Sequence, residues 1–134
     1  MTRALIADDV ALMREILREI LEALDVHVVA EVKNGEEAVA AFRSHHPEIV
    51  ILDLMMPQKC GVEATKQIVA LDPGVRVVVC GSLGQESLIQ QALGAGARDF
   101  VLKPFSPERV HTTLTRLLEK PPPRPARRPI PALP

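Results

Sequence analysis

The strongest constraint on the fold is a strict alternation of short apolar runs with segments of helical periodicity. The apolar runs lie at 4–7, 27–32, 49–52, 75–80 and 99–102, and each precedes a segment whose apolar residues recur every three or four positions. Short apolar runs of this kind are typical of buried parallel strands, and helices between them cover both faces of the sheet. Since crossover connections are right-handed, few topologies remain. We therefore predict an α/β domain with a doubly wound, five-stranded parallel sheet.

Local signals mark several helix ends. Asn34 is expected to cap the second helix, and Ser106 to cap the fifth, with Pro107 as its first residue. Gly94 is expected to end the fourth helix, which the apolar periodicity predicts over residues 83–93.

Composition excludes several classes of protein. The chain has 134 residues, which suits one domain and is too short for two. Three Phe without Tyr or Trp do not form a stacking platform for nucleic acid, and a net charge of −1 attracts neither DNA nor membrane. Cys60 and Cys80 are too few for a disulfide framework or a zinc site, and no run is long enough for a membrane span. We expect a cytoplasmic protein without nucleic-acid or membrane partners.

The composition changes sharply at Pro121. Residues 121–134 hold seven of the 12 prolines of the chain, together with three arginines. This density of proline excludes a helix or a central strand and predicts a polyproline-II or disordered tail. We therefore divide the chain into a folded domain, 1–120, and a Pro-rich tail, 121–134. The tail is either a solvated appendage or linker, or a segment that a partner recognises.

Charged side chains follow three of the predicted strands. Asp8 and Asp9 follow the first strand, Asp53 ends the third and Lys103 ends the fifth. The carboxyl ends of parallel strands share one edge of the sheet, where ligands bind. Three neighbouring carboxylates repel one another unless a cation neutralises them, and oxygen ligands without His or Cys suit Mg²⁺. The alternatives are a turn or helix cap at Asp53, and a structural acidic cluster with a surface lysine.

Taken together, these motifs resemble the receiver domain of bacterial response regulators, most closely the stand-alone chemotaxis type (CheY-like), which has a flavodoxin-like fold. The resemblance covers residues 4 to about 119. It is carried by Asp8-Asp9, by Ile49–Pro57 with Gly61 following, by Ala95–Ala97 and by Asp99–Phe105. The stretch Val77–Gln85 also looks like the chemotaxis subgroup.

The resemblance implies a phosphoryl-transfer site. It implies that Asp53 is phosphorylated by a sensor histidine kinase and that Lys103 contacts the phosphoryl group. It also implies a Mg²⁺ ion held by Asp9, Asp53 and the backbone carbonyl of Met55, with Asp8 acting through water.

The resemblance has further implications for chemistry and partners. The Lys103–Pro104 bond would be cis. The chain would be a phosphoacceptor that assists its own phosphorylation and dephosphorylation rather than an enzyme. We expect a monomer that signals in chemotaxis to a flagellar motor switch protein or meets a phosphatase.

Two positions depart from the family pattern. The family usually has Ser or Thr at the end of strand four, where the hydroxyl binds the phosphoryl group. Spacing to Lys103 places that position at Gly81, with Ser82 next. Because side chains alternate along a strand, we expect Ser82 to reach the site only if the chain leaves strand geometry at Gly81. The aromatic switch position is Phe100, which lacks a hydroxyl.

Three interpretations follow from the sequence. The first is a phosphorylated single-domain signalling protein. The second is the receiver fragment of a longer response regulator, such as a transcription factor. The third is a pseudo-receiver that binds partners without a full switch, which the glycine at position 81 motivates.

Overall fold

The five predicted strands form one parallel sheet in the computed structural model, which describes residues 1–119. The strands are β1 (Arg3–Ala7), β2 (His27–Val32), β3 (Ile49–Asp53), β4 (Arg76–Ser82) and β5 (Asp99–Lys103). The helices are α1 (Ala11–Ala23), α2 (Gly35–His45), α3 (Gly61–Leu71), α4 (Glu86–Gly94) and α5 (Pro107–Glu119). The strand order is β2-β1-β3-β4-β5, and every strand pair is parallel. The doubly wound α/β prediction is confirmed.

The central strand β3 is buried on both faces, which explains its continuous apolar sequence. Val50 and Leu52 pack into a cluster shared with α2, α3 and α4, whereas Ile49 and Ile51 pack into a second cluster shared with α1 and α5. All five residues of β3 are buried. Burial of a side chain of this size stabilises the fold by about 1.5–3 kcal/mol. The carboxylate at the end of this strand is therefore held by a rigid part of the core.

The predicted helix caps are present. The Asn34 side chain accepts a hydrogen bond from the Glu37 backbone N–H at 2.8 Å, and the Ser106 hydroxyl accepts one from the Arg109 N–H at 3.2 Å. Each cap satisfies a backbone donor that has no partner within its own helix. The Lys103–Pro104 peptide bond is cis, as predicted.

The connection between β4 and α4 differs from the prediction. Strand β4 continues through Ser82, two residues beyond the predicted end, and α4 begins at Glu86 rather than at residue 83. A turn separates them: the Gln85 N–H donates to the Ser82 carbonyl at 3.0 Å, and Gly84 has a φ of +93°. Leu83 fits the helical periodicity of the sequence, yet it lies in this turn and is 79% exposed.

The predicted boundary at 120–121 and the Pro-rich tail, 121–134, lie outside the described residues, so that division of the chain stays a prediction. Among residues 1–119, none of the helices combines the length and the apolar character that crossing a bilayer requires.

Candidate functional site

Strand order brings the three predicted carboxylates together. β1 and β3 are neighbours, with Ala7 paired to Leu52, so Asp8 and Asp53 emerge side by side. Asp8 is 1% exposed and Asp53 is 5% exposed, whereas Asp9 is exposed to solvent. One carboxylate oxygen from each of the three lies within 4.8 Å of the other two. The sheet edge therefore presents a compact acidic cluster with two buried members.

Lys103 offsets part of the negative charge of the buried pair. Its Nζ lies 3.0 Å from Asp8 Oδ2 and 3.1 Å from Asp53 Oδ2, so one ammonium bridges both carboxylates. The two remaining carboxylate oxygens accept backbone N–H groups, from Val10 to Asp8 at 2.9 Å and from Met55 to Asp53 at 3.3 Å. These bonds fix the orientation of both carboxylates before any ligand arrives.

The electrostatics of the cluster leave Asp53 under-compensated. Burial and the charge of Asp8 raise the pKa of Asp53 above its ordinary value, and Lys103 and the Met55 N–H offset only part of that rise. Burial alone would lower the pKa of Lys103, but its hydrogen bond to Asp8 and its attraction to both carboxylates outweigh burial and raise it. A further cation would therefore interact favourably with the uncompensated negative charge of this cluster.

The donor set fits a hard divalent cation. The carboxylates of Asp8, Asp9 and Asp53 converge without any His or Cys among them, which suits Mg²⁺. Met55 is 55% exposed, and its backbone N–H donates to Asp53 Oδ1, so this residue lies beside the cluster. An exposed Asp9 leaves one side of the site open to water, and Mg²⁺ usually retains several waters.

Replacement of Asp53 by Asn should stabilise the protein when no divalent cation is present. An Asp whose pKa is raised by folding is easier to protonate in the folded than in the unfolded state, so stability falls as pH rises from the unfolded to the folded pKa. Asn cannot ionise, so it removes this loss of stability, and its amide oxygen can still accept a hydrogen bond from Lys103. We expect a higher melting temperature at pH 7 in EDTA, by roughly 4 °C per kcal/mol gained.

The same measurement at low pH is the control. Below the unfolded pKa of about 3.9, Asp53 is protonated in both states, and the difference between Asp53→Asn and wild type should vanish. A melting temperature at pH 7 that is lower for Asp53→Asn than for wild type would contradict the prediction.

Gly61 allows the chain to pass tightly behind Asp53. A Cβ at position 61 would lie 2.5 Å from the Asp53 carbonyl oxygen and 2.7 Å from the Leu54 Cα. Real Cβ atoms do not approach backbone this closely, and the Gly61 N–H donates to the Leu54 carbonyl at 2.9 Å. The glycine that follows the Asp53 motif in sequence is therefore required by this close approach.

The predicted switch residues lie on different faces of the sheet. A side chain at Gly81 would point toward Ile89, 3.2 Å away, on the α4 side. Ser82 pairs with Lys103 and so shares its face, whereas Phe100 lies on the opposite face of β5 and is 38% exposed. The chain does not leave strand geometry at Gly81, because β4 continues through Ser82, which shares the face of Lys103. The role of Ser82 at the site stays a prediction.

Two residues at this edge are absent from the sequence-based predictions. The Arg14 guanidinium donates to the Asp8 backbone carbonyl at 2.7 Å, and the Gln85 side chain accepts the Ser82 N–H at 2.7 Å. Gln85 occupies the N-cap position of α4, where Ser, Thr, Asp or Asn is usual. Because the sequence predicted α4 from residue 83, no sequence signal marked Gln85 as a cap.

Comparison with known proteins identifies a family. The profile of the response regulator receiver domain matches residues 4–115. The chemotaxis protein CheY of Thermotoga maritima is 40% identical over 115 residues, which cover 86% of this chain and 96% of that protein. CheY of Bacillus subtilis is 40% identical over 116 residues, covering 87% of this chain and 97% of the relative.

Solved structures agree with the sequence comparison. A complex described as CheX-CheY-BeF3-Mg²⁺, from Borrelia burgdorferi, contains a chain that is 29% identical to this one, with a TM-score of 0.83. The match covers 89% of this chain and 90% of that chain. The flavodoxin-like receiver fold is thus confirmed by both sequence and structure.

Proposed function

Since the chain belongs to the family of response regulator receiver domains, we propose that it is a phosphoacceptor signalling protein of a two-component system. In this proposal, Asp53 receives a phosphoryl group from a sensor histidine kinase. The observation that carries the proposal is the environment of Asp53: a buried carboxylate beside Asp8, with its Oδ2 3.1 Å from the Lys103 ammonium.

The geometry suits attack by Asp53 on phosphorus. An Asp53 oxygen forms a bond to phosphorus while the bond from phosphorus to its donor breaks, and the donor leaves with the electron pair. Two anions must approach for this to happen, so stabilisation of charge is the main catalytic need. Lys103 supplies one positive charge at hydrogen-bond distance from the acceptor. A Mg²⁺ ion held by Asp9, Asp53 and the Met55 carbonyl, with Asp8 acting through water, would neutralise further phosphoryl oxygens.

We infer the partners of this chain from the related chemotaxis proteins. Chemotaxis proteins that match over nearly their whole length support a single-domain role in chemotaxis, in the cytoplasm, with a sensor kinase upstream. The solved complex of CheY with CheX supports a partner of that type, or a flagellar motor switch protein, downstream. The glycine at 81 favours a second candidate, an interaction module without a full switch. It predicts partner binding that does not depend on phosphorylation.

The proposal is tested by incubating the protein with acetyl phosphate and Mg²⁺ and then measuring its intact mass. We expect one phosphoryl group per chain, and no gain in mass when EDTA replaces Mg²⁺. Absence of any phosphoryl adduct in Mg²⁺, under conditions that phosphorylate a chemotaxis relative, would contradict the proposal.

Mg²⁺ binding should depend more on Asp9 than on Asp8. Asp8 is buried and already paired with Lys103, whereas Asp9 is exposed and has no ion pair among the described residues. We expect Asp9→Ala to lose most of the Mg²⁺ affinity and Asp8→Ala to lose less, in a calorimetric titration of the unphosphorylated protein. The reverse order would mean that Asp8 is the direct ligand.

A further inference from the structure

Asp9 is the exposed member of the acidic cluster, and no side chain holds its carboxylate. Within residues 1–119, this carboxylate accepts no hydrogen bond and forms no ion pair. Asp8 differs, because the Val10 N–H and the Lys103 ammonium fix its two carboxylate oxygens at 2.9 and 3.0 Å. The position of the Asp9 carboxylate therefore depends on how firmly the backbone of Asp9 is held.

The backbone before Asp9 is held on both sides of Asp8. The Asp8 N–H donates to the Val32 carbonyl at 3.1 Å, which ties it to β2. The Asp8 carbonyl accepts a hydrogen bond from Arg14 Nη1 at 2.7 Å. Because a peptide group is planar, the direction of the Asp8 carbonyl also sets the positions of the Asp9 nitrogen and Cα. Arg14 is thus the side chain that orients the peptide group carrying Asp9.

Arg14 is itself held by an ion pair with β2. Its Nε lies 3.5 Å from Glu31 Oε1, and the other Glu31 carboxylate oxygen pairs with Arg18. The side chains of Arg14 and Glu31 are only 17% and 23% exposed. A guanidinium is planar with donors in fixed directions, so the contact of Nε with Glu31 also restricts the direction of the Nη1 that donates to Asp8. A chain of contacts therefore runs from β2 to the peptide group between Asp8 and Asp9.

We propose that Arg14 is a positioning residue for the Mg²⁺ site, because its hydrogen bond to the Asp8 carbonyl fixes the peptide group that carries Asp9. The inference rests on the Mg²⁺ site of the proposed function and concerns the unphosphorylated protein. Without Arg14, this peptide group is free to rotate, and Asp9 has to be ordered when the cation binds. That ordering lowers the affinity, because conformational freedom is lost on binding.

The charge of Arg14 has the opposite effect on Mg²⁺ affinity. A guanidinium beside the acidic cluster repels a divalent cation, so loss of its charge alone would strengthen Mg²⁺ binding. Loss of its hydrogen bond to the Asp8 carbonyl would weaken Mg²⁺ binding, through Asp9. The direction of the change in affinity therefore distinguishes a positioning residue from a neighbouring charge.

The test is a calorimetric titration of Mg²⁺ into the folded, unphosphorylated protein. Arg14→Met keeps most of the apolar stem but loses the donor, and it should weaken Mg²⁺ binding about fivefold, an effect typical of one hydrogen bond. Arg18→Met is the matched control, because Arg18 lies on the same helix and pairs with the same Glu31 but has no hydrogen bond to Asp8. The control variant should bind Mg²⁺ no more weakly than wild type.

Two further measurements separate positioning from a general loss of stability. ¹⁵N relaxation in EDTA should show a lower order parameter for the Asp9 amide in Arg14→Met, while amides in the second half of α1 keep theirs. Arg14→Lys keeps the charge but not the planar fork that reaches Asp8 and Glu31 together, so it carries the same prediction if Arg14→Met does not fold.

The outcomes for Arg14 and for the proposed function are distinguishable. A folded Arg14 variant that binds Mg²⁺ as tightly as wild type, or more tightly, would overturn the inference and leave the Mg²⁺ site intact. A wild-type protein that binds no Mg²⁺ would overturn the proposed Mg²⁺ site, and this inference with it. A wild-type protein that binds Mg²⁺ but takes up no phosphoryl group would overturn the phosphorylation of Asp53 alone.

Discussion

The Asp53→Asn protein should take up no phosphoryl group from acetyl phosphate in the presence of Mg²⁺. Asp53 belongs to the acidic cluster, and its Oδ2 lies 3.1 Å from the Lys103 ammonium. Asp8 shares both features, so the choice of Asp53 rests on its position at the end of β3, which the family resemblance makes the acceptor. Asn keeps the shape and the hydrogen bond but has no anionic oxygen to attack phosphorus. Intact mass spectrometry measures the effect directly, as presence or absence of the adduct.

Asp99→Asn is the control for this experiment. Asp99 lies on β5, away from the cluster, and its partner is Arg116 at 3.6 Å. That variant should be phosphorylated like wild type. Uptake by Asp53→Asn equal to wild type would show that another side chain is the acceptor.

Lys103→Met should have the second large effect, on both stability and phosphorylation. The substitution leaves Asp8 and Asp53 buried side by side without their shared cation. Breaking a buried ion pair costs about 3 kcal/mol, since the remaining charges stay desolvated. The rate of phosphorylation should also fall by roughly 10²–10³, the usual effect of losing one group that stabilises charge in the transition state.

A double variant separates the two contributions. In Lys103→Met with Asp53→Asn, one of the two uncompensated charges is gone, so the free energy of unfolding in EDTA should recover most of the loss. Lys66→Met, at an exposed lysine of α3, is the matched control and should change neither quantity. A single Lys103→Met variant as stable as wild type in EDTA would show that solvent already screens the two carboxylates.

The positions of strands and helices were largely predictable, because buried apolar residues recur with the period of the strand or helix that carries them. β3 is buried on both faces, so Ile49 to Leu52 are all apolar, and the residue that ends the run is the carboxylate at the sheet edge. The caps at Asn34 and Ser106 were predictable for the same local reason, since their side chains bond backbone within three residues. The acidic cluster depends on one further condition, the adjacency of β1 and β3, which only the strand order of the folded sheet established.

The turn after β4 was not predictable, because local sequence and tertiary structure disagree there. Leu83 fits the apolar period of α4, yet the chain continues as a strand to Ser82, where pairing with β5 outweighs the periodicity. This extension of β4 changes which side chain lies on the face of Lys103 at the carboxyl edge of the sheet. Strand alternation turns Ser82, rather than a side chain at 81, toward Lys103.

The sequence by itself determined the α/β class, the order of strands and helices along the chain, and the identities of Asp8, Asp9, Asp53 and Lys103. These features are local, because buried and charged positions can be recognised from the residues themselves. Only the tertiary structure decided that one Lys103 ammonium lies 3.0 and 3.1 Å from two carboxylates, and that Gln85 accepts the Ser82 N–H. Contacts between strands depend on register and on where each strand ends. Those are set by pairing across the sheet, which no local pattern encodes.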